Sequence, residues 1–311
     1  MSILDVGQGD CIVLHDPEHH EAVLIDCPTG RSQVALDFLT ALNIHHLRAV
    51  VVSHLHRDHY GGIEESLDQL APVPENLWLS LAFAQGDSSV PAGRAALSKM
   101  SRFAKRRKIE RKIPRSSAEL VCDRIRLDVL SPDEGTEIDA VSTGDPNRSS
   151  LIVAAELAGF RALLGSDAPP AQWERMIAGG VDLRADVLLM RHHGAGFHSD
   201  PNRLATILDA VAPSVIAVSV GSVNEYDHPQ KATLDALGAY ASGRGARLVC
   251  TQLNRLCASR KVAVDFACAG TISISGKSGA IDVRTGNADH RALVRSLPCA
   301  RCIPHRAARA K

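Results

Sequence analysis

The sequence predicts an α/β protein in which two mixed β-sheets pack face to face with helices on both outer faces, a four-layer αββα sandwich. Two patterns predict this fold. The first half of the 311-residue chain is rich in short apolar strands joined as hairpins, and the second half alternates strands with amphipathic helices. This pattern fits two stacked mixed sheets better than one doubly wound parallel sheet. With 45% hydrophobic residues, the chain can also build a sizeable core.

Hydrophobic periodicity places the individual elements. Short apolar runs bounded by turn residues predict strands over 3–6, 11–15, 22–25, 49–52, 77–82, 124–130, 151–156, 161–164, 187–190, 215–220 and 246–251. Amphipathic spacing predicts helices over 33–42, 63–70, 95–112, 170–177, 202–211 and 231–241. Gly61 and Gly62 are interpreted as a turn that leads into the second of these helices.

The composition limits the classes of partner. Lys plus Arg and Asp plus Glu both number 35, so no overall field attracts the chain to nucleic acid or to a membrane. The N-terminus lacks the features of a signal peptide, and no apolar run approaches the ~20 residues of a membrane helix. We therefore expect a cytoplasmic protein with no membrane partner. We also expect a main domain over residues 1–255 and a tail over residues 256–311, because cysteine and histidine residues become frequent there.

A cluster of metal-binding side chains directly follows the predicted strand 49–52. Three histidines and an aspartate lie within six residues: His54, His56, Asp58 and His59. In a loop, residues two apart can point the same way, so His54 and His56 could hold one ion, and Asp58 with His59 a second. Imidazole and carboxylate suit zinc, manganese or iron. The plain alternative is a solvated polar loop, which four ligand-type side chains at this spacing make improbable.

The same stretch, SHLHRDHYGG at 53–62, resembles the signature of metallo-β-lactamase-fold hydrolases. The segments LDVGQGDCIVL at 4–14 and VLIDC at 23–27 resemble a narrower branch, which includes the hydrolase domain of the DNA-uptake protein ComEC. The likeness continues, in the family's order, in LLGSD at 163–167, ADVLLMRHHG at 185–194 and VSVGSVNEYDHP at 218–229. It implies the metallo-β-lactamase fold for roughly residues 1–255.

The resemblance implies roles for the matching metal ligands. His54 and His56 would bind one divalent ion. Asp58 and His59 would bind a second, and Asp167 would bridge the two ions.

Further residues would support these ligands. Either His192 or His193 would complete the shell of the second ion. Asp26 would anchor a ligand histidine from behind, and His228 would reach the substrate as a proton donor or oxyanion partner. Without the resemblance, Asp167 could equally cap a helix, and His228 could be an ordinary turn residue.

One departure from the wider family concerns the first ion. Many of its hydrolases have another metal-binding histidine before the bridging aspartate, whereas no histidine lies between His59 and Asp167 here. The corresponding stretch contains Asn147 and Ser149, which could lie near the first ion although neither is a strong ligand. Occupancy by one ion or by two is therefore left open.

The resemblance implies a hydrolase with one or two zinc or manganese ions, in which Asp58, Asp167 and His228 take part in catalysis. We expect a phosphodiesterase or nuclease that uses a metal-activated water and acts on a nucleic acid or nucleotide. Hydrolysis of small esters or thioesters is one alternative, because one fold hosts several chemistries. A non-catalytic metal-binding scaffold is another.

A basic segment favours the nucleic-acid substrate. Residues 102–115 contain eight basic residues and one acidic residue, and at their centre lie Arg106, Arg107 and Lys108. Such a density of positive charge could neutralise several phosphates, although charge runs are usually solvated helix faces. Only 4% of residues are aromatic, so no base-stacking platform is evident.

The tail contains a second set of ligand-type residues, Cys257, Cys268, His290, Cys299, Cys302 and His305. The Cys-x-x-Cys pair with distant cysteines fits a structural zinc site. A tail this short and polar needs a staple to fold. The alternative is a set of unrelated reduced cysteines. The tail could simply stabilise the protein, or it could meet DNA or a protein partner.

Overall fold

The computed structural model describes residues 1–80, 91–157, 159–197, 201–258, 262–277 and 280–303. Within these ranges the first sheet has eight strands, with β3 to β6 parallel and the other neighbours antiparallel. In sheet order they are β15 (Ala280–Thr285), β14 (Ile272–Lys277), β1 (Ser2–Ile3), β2 (Ile12–Asp16), β3 (Glu21–Ile25), β4 (His46–Val52), β5 (Asn76–Leu79) and β6 (Glu110–Lys112).

The second sheet has seven strands within the described residues. In sheet order they are β13 (Arg247–Cys250), β12 (Val215–Val218), β11 (Val187–Leu189), β10 (Phe160–Leu164), β9 (Ile152–Leu157), β8 (Ile125–Ser131) and β7 (Glu119–Cys122). Strands β10 to β13 are parallel, and β7 to β10 are antiparallel neighbours.

Nine α-helices accompany the sheets in the described parts of the chain. They are α1 (Ser32–Ala41), α2 (Arg57–Ser66), α3 (Pro91–Arg107), α4 (Glu134–Thr143), α5 (Pro170–Ala178), α6 (Pro201–Val211), α7 (Lys231–Arg244), α8 (Arg255–Ala258) and α9 (His290–Ser296). None of these helices is long and apolar enough to cross a lipid bilayer.

Alternation of side chains along the strands builds three apolar layers. Leu14 and Val23 of the first sheet meet Val153 and Leu164 of the second in the central layer. The opposite faces of the two sheets pack against helices in two outer layers. Because successive residues of a strand point to opposite faces, each sheet contributes to two layers. The predicted four-layer αββα arrangement is confirmed.

Two local predictions were wrong. Gly61 and Gly62 lie inside α2, which begins at Arg57 within the histidine cluster. A Cβ on Gly61 would lie 1.9 Å from Thr29 Oγ1, so the glycines let the helix pack closely on the loop after β3. The predicted helix 95–112 ends at Arg107, because Lys108 has a φ of 57° and the chain then enters β6.

The residues after 255 join the main body of the protein. Strand β14 pairs with β1, with Ser273 opposite Ser2, and Ile303 forms an isolated bridge to Leu248 in β13. The segment therefore supplies two strands at the edge of the first sheet and pairs with the edge strand of the second. Its division from residues 1–255 as a separate unit stays a prediction. His305 and the end of the predicted strand 77–82 lie outside the described residues.

Candidate metal centre

The carboxyl ends of parallel strands from both sheets meet at one edge of the sandwich. Because strands that run parallel end on the same side, the loops that follow them converge there. The segments that follow β3, β4, β10, β11 and β12, including the first turn of α2, carry the predicted site residues Asp26, His54, His56, Asp58, His59, Asp167, His192, His193 and His228. Residues that are far apart in the sequence are thereby brought together.

Asp167 lies at the centre of these side chains. Its Oδ1 is 3.3 Å from Nε2 of His59 and 3.6 Å from Nε2 of His193. Its Oδ2 is 3.6 Å from Nε2 of His54 and 3.4 Å from Nε2 of His192. The two oxygens of one carboxylate thus face two different pairs of imidazoles.

Two overlapping sets of potential ligands result. One consists of His54, His59 and Asp167, and the other of Asp58, His59 and His193; within each, the ligand atoms lie within 4.8 Å of one another. Nε2 of His193 is 3.6 Å from Oδ2 of Asp58, so this histidine joins the pair expected to hold the second ion.

His56 and His192 border the first set. Nδ1 of His56 is 3.1 Å from Nε2 of His54. His192 faces the same oxygen of Asp167 as His54 does. Each lines the cleft above the site. His192 therefore lies beside the first set, where the hydrolases that the sequence resembles have an additional histidine.

Hydrogen bonds behind the imidazoles fix which nitrogen points inward. Nδ1 of His59 donates to Oδ2 of Asp26 at 2.8 Å, and Nδ1 of His193 donates to the carbonyl of Ser219 at 3.0 Å. Nε2 is therefore the ring atom that faces Asp167, and it can supply a lone pair to a metal once any proton on it is displaced. Such outer partners orient metal ligands and raise their basicity.

The same arrangement holds His54. Its Nδ1 lies 3.1 Å from Ser53 Oγ and 3.3 Å from Ser166 Oγ. Both hydroxyl protons are used elsewhere, since Ser53 Oγ donates to Asp26 and Ser166 Oγ donates to Ser53. The hydroxyl oxygens are therefore the acceptors, and Nε2 of His54 also presents a lone pair toward Asp167.

The inward atoms form no hydrogen bond of good geometry within the described residues. Nε2 of His59, Nε2 of His193 and Oδ1 of Asp167 are all buried in this way. Leaving a buried polar group unpaired costs about 1–3 kcal/mol. A divalent ion at this position would satisfy all three atoms at once, and imidazole nitrogen with carboxylate oxygen is a donor set that zinc and manganese accept. These residues therefore fit a metal ion.

Electrostatics agree with this assignment. Burial by itself lowers the pKa of His59, yet the carboxylates of Asp167, Asp26 and Asp58 outweigh burial and hold that pKa well above its usual range. The same opposition between burial and Asp167 raises the pKa of His193 to about 9. The carboxylates thus favour the protonated forms of His59 and His193, and a cation that binds there must displace those protons. Burial dominates at the other two imidazoles that face Asp167: it holds the pKa of His54 well below its usual range and lowers that of His192 to about 4.

The backbone is unusual at His192 and His193. Their φ values are 47° and 51°, in the left-handed region that few residues other than glycine adopt. Gly194 follows with a φ of 83°, and a Cβ there would lie 2.6 Å from the Cβ of Pro229. Consecutive left-handed residues persist only where the surroundings enforce them, typically at functional sites.

An open cleft of about 1170 Å³ leads to the centre. The potential ligands His56, Asp58, Asp167, His192 and His193 line it, together with Asn147, Arg191, Tyr226 and His228. The ring centroids of His228 and His192 are 5.3 Å apart. The predicted Asn147 and His228 therefore lie at the cleft, and each has a buried, unpaired side-chain atom, Oδ1 and Nδ1 respectively.

Other predicted residues lie elsewhere. Arg106, Arg107 and Lys108 are exposed at the end of α3, and none of them belongs to the described lining of the cleft. In the tail, Cys268 and His290 group with Cys302, whereas Cys257 and Cys299 are not in that group. The roles of these residues stay predictions.

Sequence reasoning missed several residues at the site. Asp10 is one of them: its Oδ1 is 3.6 Å from Nδ1 of His193, and burial raises its pKa to about 6. Ser53 and Ser166, which support His54, directly precede predicted ligands. Tyr226 lies within the segment that supplied His228. Their only sequence signal was this adjacency to residues already identified.

Comparisons with known proteins find one family model that matches part of this chain and weak likeness to larger proteins. Residues 10–74 match the family described as “Anti-Pycsar protein Apyc1”. ComE operon protein 3 of Bacillus subtilis (strain 168) is 25% identical over 254 residues, which cover 76% of this chain and 30% of that protein. Competence protein ComA of Neisseria gonorrhoeae is 24% identical over 258 residues, covering 82% and 31%. The chain spans less than a third of the length of these two relatives.

Solved structures show the fold. A mutant of the CmlA beta-hydroxylase superposes with a TM-score of 0.52 at 14% identity, covering 81% of this chain and 52% of that one. YhfI from Bacillus subtilis, titled a metallo-beta-lactamase fold protein, has a TM-score of 0.42 at 10% identity, covering 70% and 83%. The chain has the metallo-β-lactamase fold, as the sequence predicted. At these identities the likeness concerns the fold alone.

Proposed function

We propose that this chain is a metal-dependent hydrolase that cleaves phosphodiesters in a nucleic acid or nucleotide. The observation that carries the proposal is the position of Asp167, whose two oxygens face separate imidazole pairs at the floor of an open cleft. A bridging carboxylate with ligands on both sides is the arrangement of a site for two ions. When bound, a pair of divalent ions supplies hydroxide near neutral pH and neutralises charge on phosphate oxygens.

The protein's own residues then have distinct tasks. His54, His59 and His193 direct their Nε2 atoms inward because their Nδ1 atoms are hydrogen bonded to groups on the outer side of the site. Asp167 positions both ligand sets. His228 lies across the cleft, where its imidazole can hold a proton near a departing oxygen.

An exposed aromatic residue in the cleft wall favours a substrate that contains an aromatic group. Tyr226 is 60% exposed, and its ring stacks on His228 with centroids 5.7 Å apart and an interplanar angle of 22°. An exposed ring beside the reaction centre can stack on a nucleobase, an interaction that tolerates any base. Likeness to ComE operon protein 3 and Competence protein ComA further supports placement in the ComEC-like branch.

The test is metal-dependent turnover of bis-p-nitrophenyl phosphate and of plasmid DNA after metal removal and reloading with zinc or manganese. Asp167→Ala and His56→Ala are expected to abolish turnover. His46→Ala is the matched control, because His46 is an exposed histidine at the opposite end of β4. Turnover that survives Asp167→Ala refutes the site. Tight metal binding with no cleavage of either substrate supports a metal-binding scaffold instead.

A further inference from the structure

A second cluster of metal-binding side chains lies away from the cleft. The sulfurs of Cys268 and Cys302 and a ring nitrogen of His290 lie within 4.8 Å of one another. The thiol of Cys250, at the end of β13, is hydrogen bonded to the thiol of Cys302. All four residues are buried, with at most 7% of their surface exposed. Three thiols and one imidazole from four separate segments thus meet inside the protein.

Cys302 lies at the centre of this cluster and contacts Cys250, Cys268 and His290. Among the described residues, Nε2 of His290 is nevertheless buried without a hydrogen bond of good geometry. The cysteines are free thiols. A buried imidazole nitrogen with no partner is costly, and thiols are weak hydrogen-bond donors and acceptors. An ion at the centre would give each of the four side chains a metal–ligand bond in place of these weak contacts.

The backbone holds these segments firmly in place. The amide of Cys268 donates to the carbonyl of Thr251 at 3.0 Å, and the amide of Ile303, next to Cys302, donates to the carbonyl of Leu248 at 2.7 Å. Nδ2 of Asn287 donates to the carbonyl of Cys268 at 2.8 Å, and the carbonyl of Asn287 accepts from the amide of His290. Hydrogen bonds to the main chain therefore hold the segments that carry Cys268, His290 and Cys302.

We propose that Cys250, Cys268, His290 and Cys302 bind one structural zinc ion. Three thiolates and one imidazole are a common ligand set of closed tetrahedral zinc sites. The set keeps Cys268, His290 and Cys302 from the sequence prediction and takes Cys250 in place of the other two tail cysteines. Sequence spacing could not identify Cys250, because it lies in a strand of the second sheet.

The two omitted cysteines differ from the proposed ligands. The thiol of Cys257 already has hydrogen-bond partners, the side chain of Asn254 and the backbone of Arg301. Cys299 is only partly buried, whereas the three proposed cysteine ligands are buried. Cys299 is therefore a suitable control thiol, three residues before a proposed ligand.

The site has a structural consequence for the second sheet. Strand β13 lies at the edge of that sheet, and Ile303 bridges its Leu248. Zinc bound by Cys250 and Cys302 would link the segment around Ile303, which covers the edge of the sheet, to the edge strand β13. Exposed strand edges invite pairing with other chains, and covering them is a usual protection.

Zinc X-ray absorption spectroscopy tests the proposal on the full-length protein. Every potential ligand atom at the cleft centre is nitrogen or oxygen, so a zinc–sulfur shell at about 2.3 Å reports this cluster alone. We expect that shell in the unmodified protein and also in Asp167→Ala, which removes the bridging carboxylate of the cleft. The outcome is thus independent of the proposed hydrolase activity.

Variants assign the ligands. Cys302→Ser and Cys268→Ser are expected to lose about one zinc per chain together with the sulfur shell, whereas Cys299→Ser keeps both. Zinc-loaded protein with only nitrogen and oxygen scattering overturns the proposal. So does a Cys250–Cys302 disulfide found by peptide mapping without reductant, or equal zinc loss in Cys299→Ser. If the ligand variants do not fold, the spectrum of the unmodified protein still decides.

Discussion

Nδ1 of His59 donates a hydrogen bond of 2.8 Å to Oδ2 of Asp26. Asp26 follows β3 with a φ of 57°, and it also accepts hydrogen bonds from the amide of Ser53 at 2.8 Å and from its hydroxyl at 2.5 Å. One carboxylate thus ties the loop after β4 to the first turn of α2. The inward direction of His59 Nε2 depends on this contact.

Asp26→Asn is expected to weaken metal binding at the cleft about 10- to 100-fold, the usual effect of losing an outer partner of a ligand histidine. The amide has only one oxygen to accept the three hydrogen bonds, so the imidazole loses its fixed orientation. Competition with a chelator of known affinity measures the change.

Asp16→Asn is the matched control for this change. Asp16 is also a buried aspartate at the end of a strand, and it is bound to Nδ1 of His19 at 2.7 Å. It lies in the chain outside the segments that build the cleft. Equal weakening in both variants would mean that Asp26 acts only through general stability.

Replacing Tyr226 tests the proposed stacking surface. Tyr226→Ala is expected to raise KM for a dinucleotide substrate about 5- to 150-fold, the equivalent of one stacked base, and to leave kcat nearly unchanged. Tyr226→Phe keeps the ring and should restore KM. If the alanine variant has the unmodified KM, the exposed ring does not contact the base.

Replacing Arg106, Arg107 and Lys108 together by alanine tests the basic segment. These residues lie outside the cleft lining, so binding of plasmid DNA should weaken and lose part of its salt dependence. Hydrolysis of bis-p-nitrophenyl phosphate should not change.

The control for charge alone is a set of exposed arginines in other parts of the protein, Arg124, Arg126 and Arg284. Their replacement by alanine should affect DNA binding less. If the first variant binds DNA unchanged at low salt, the end of α3 is an ordinary solvated surface. The surface ion pair between Arg106 and Asp68 is consistent with that outcome.

Gly61→Ala is expected to lower the free energy of unfolding by about 1–3 kcal/mol, because the added methyl would overlap Thr29. Gly243→Ala, near the end of α7, should instead raise it by about 0.4–1 kcal/mol, since among the described residues only the adjacent backbone of α7 lies near the added Cβ. Denaturant unfolding measures both. A stable Gly61→Ala variant would show that α2 need not approach the loop so closely.

The sequence predicted the layers and most of the site for identifiable reasons. Short, nearly continuous apolar runs mark strands whose two faces are both buried, as in β3 and β9. The order of the motifs placed His54, Asp167 and His193 at strand ends, which the fold brings together.

The remaining features depend on contacts that no local pattern encodes. Gly61 and Gly62 have the composition of a turn, and only their packing against Thr29 and Pro28 explains their place in a helix. The hydrogen bond from His193 to the carbonyl of Ser219 spans 26 residues and uses a backbone atom, which carries no residue-specific signal.

The most direct test is anomalous scattering at the zinc and manganese edges from crystals soaked in these metals. We predict a peak between Oδ1 of Asp167 and the Nε2 atoms of His59 and His193, and under full loading a second peak near Oδ2 of Asp167. Well-ordered crystals with these side chains in place and no peak at either position would contradict the account.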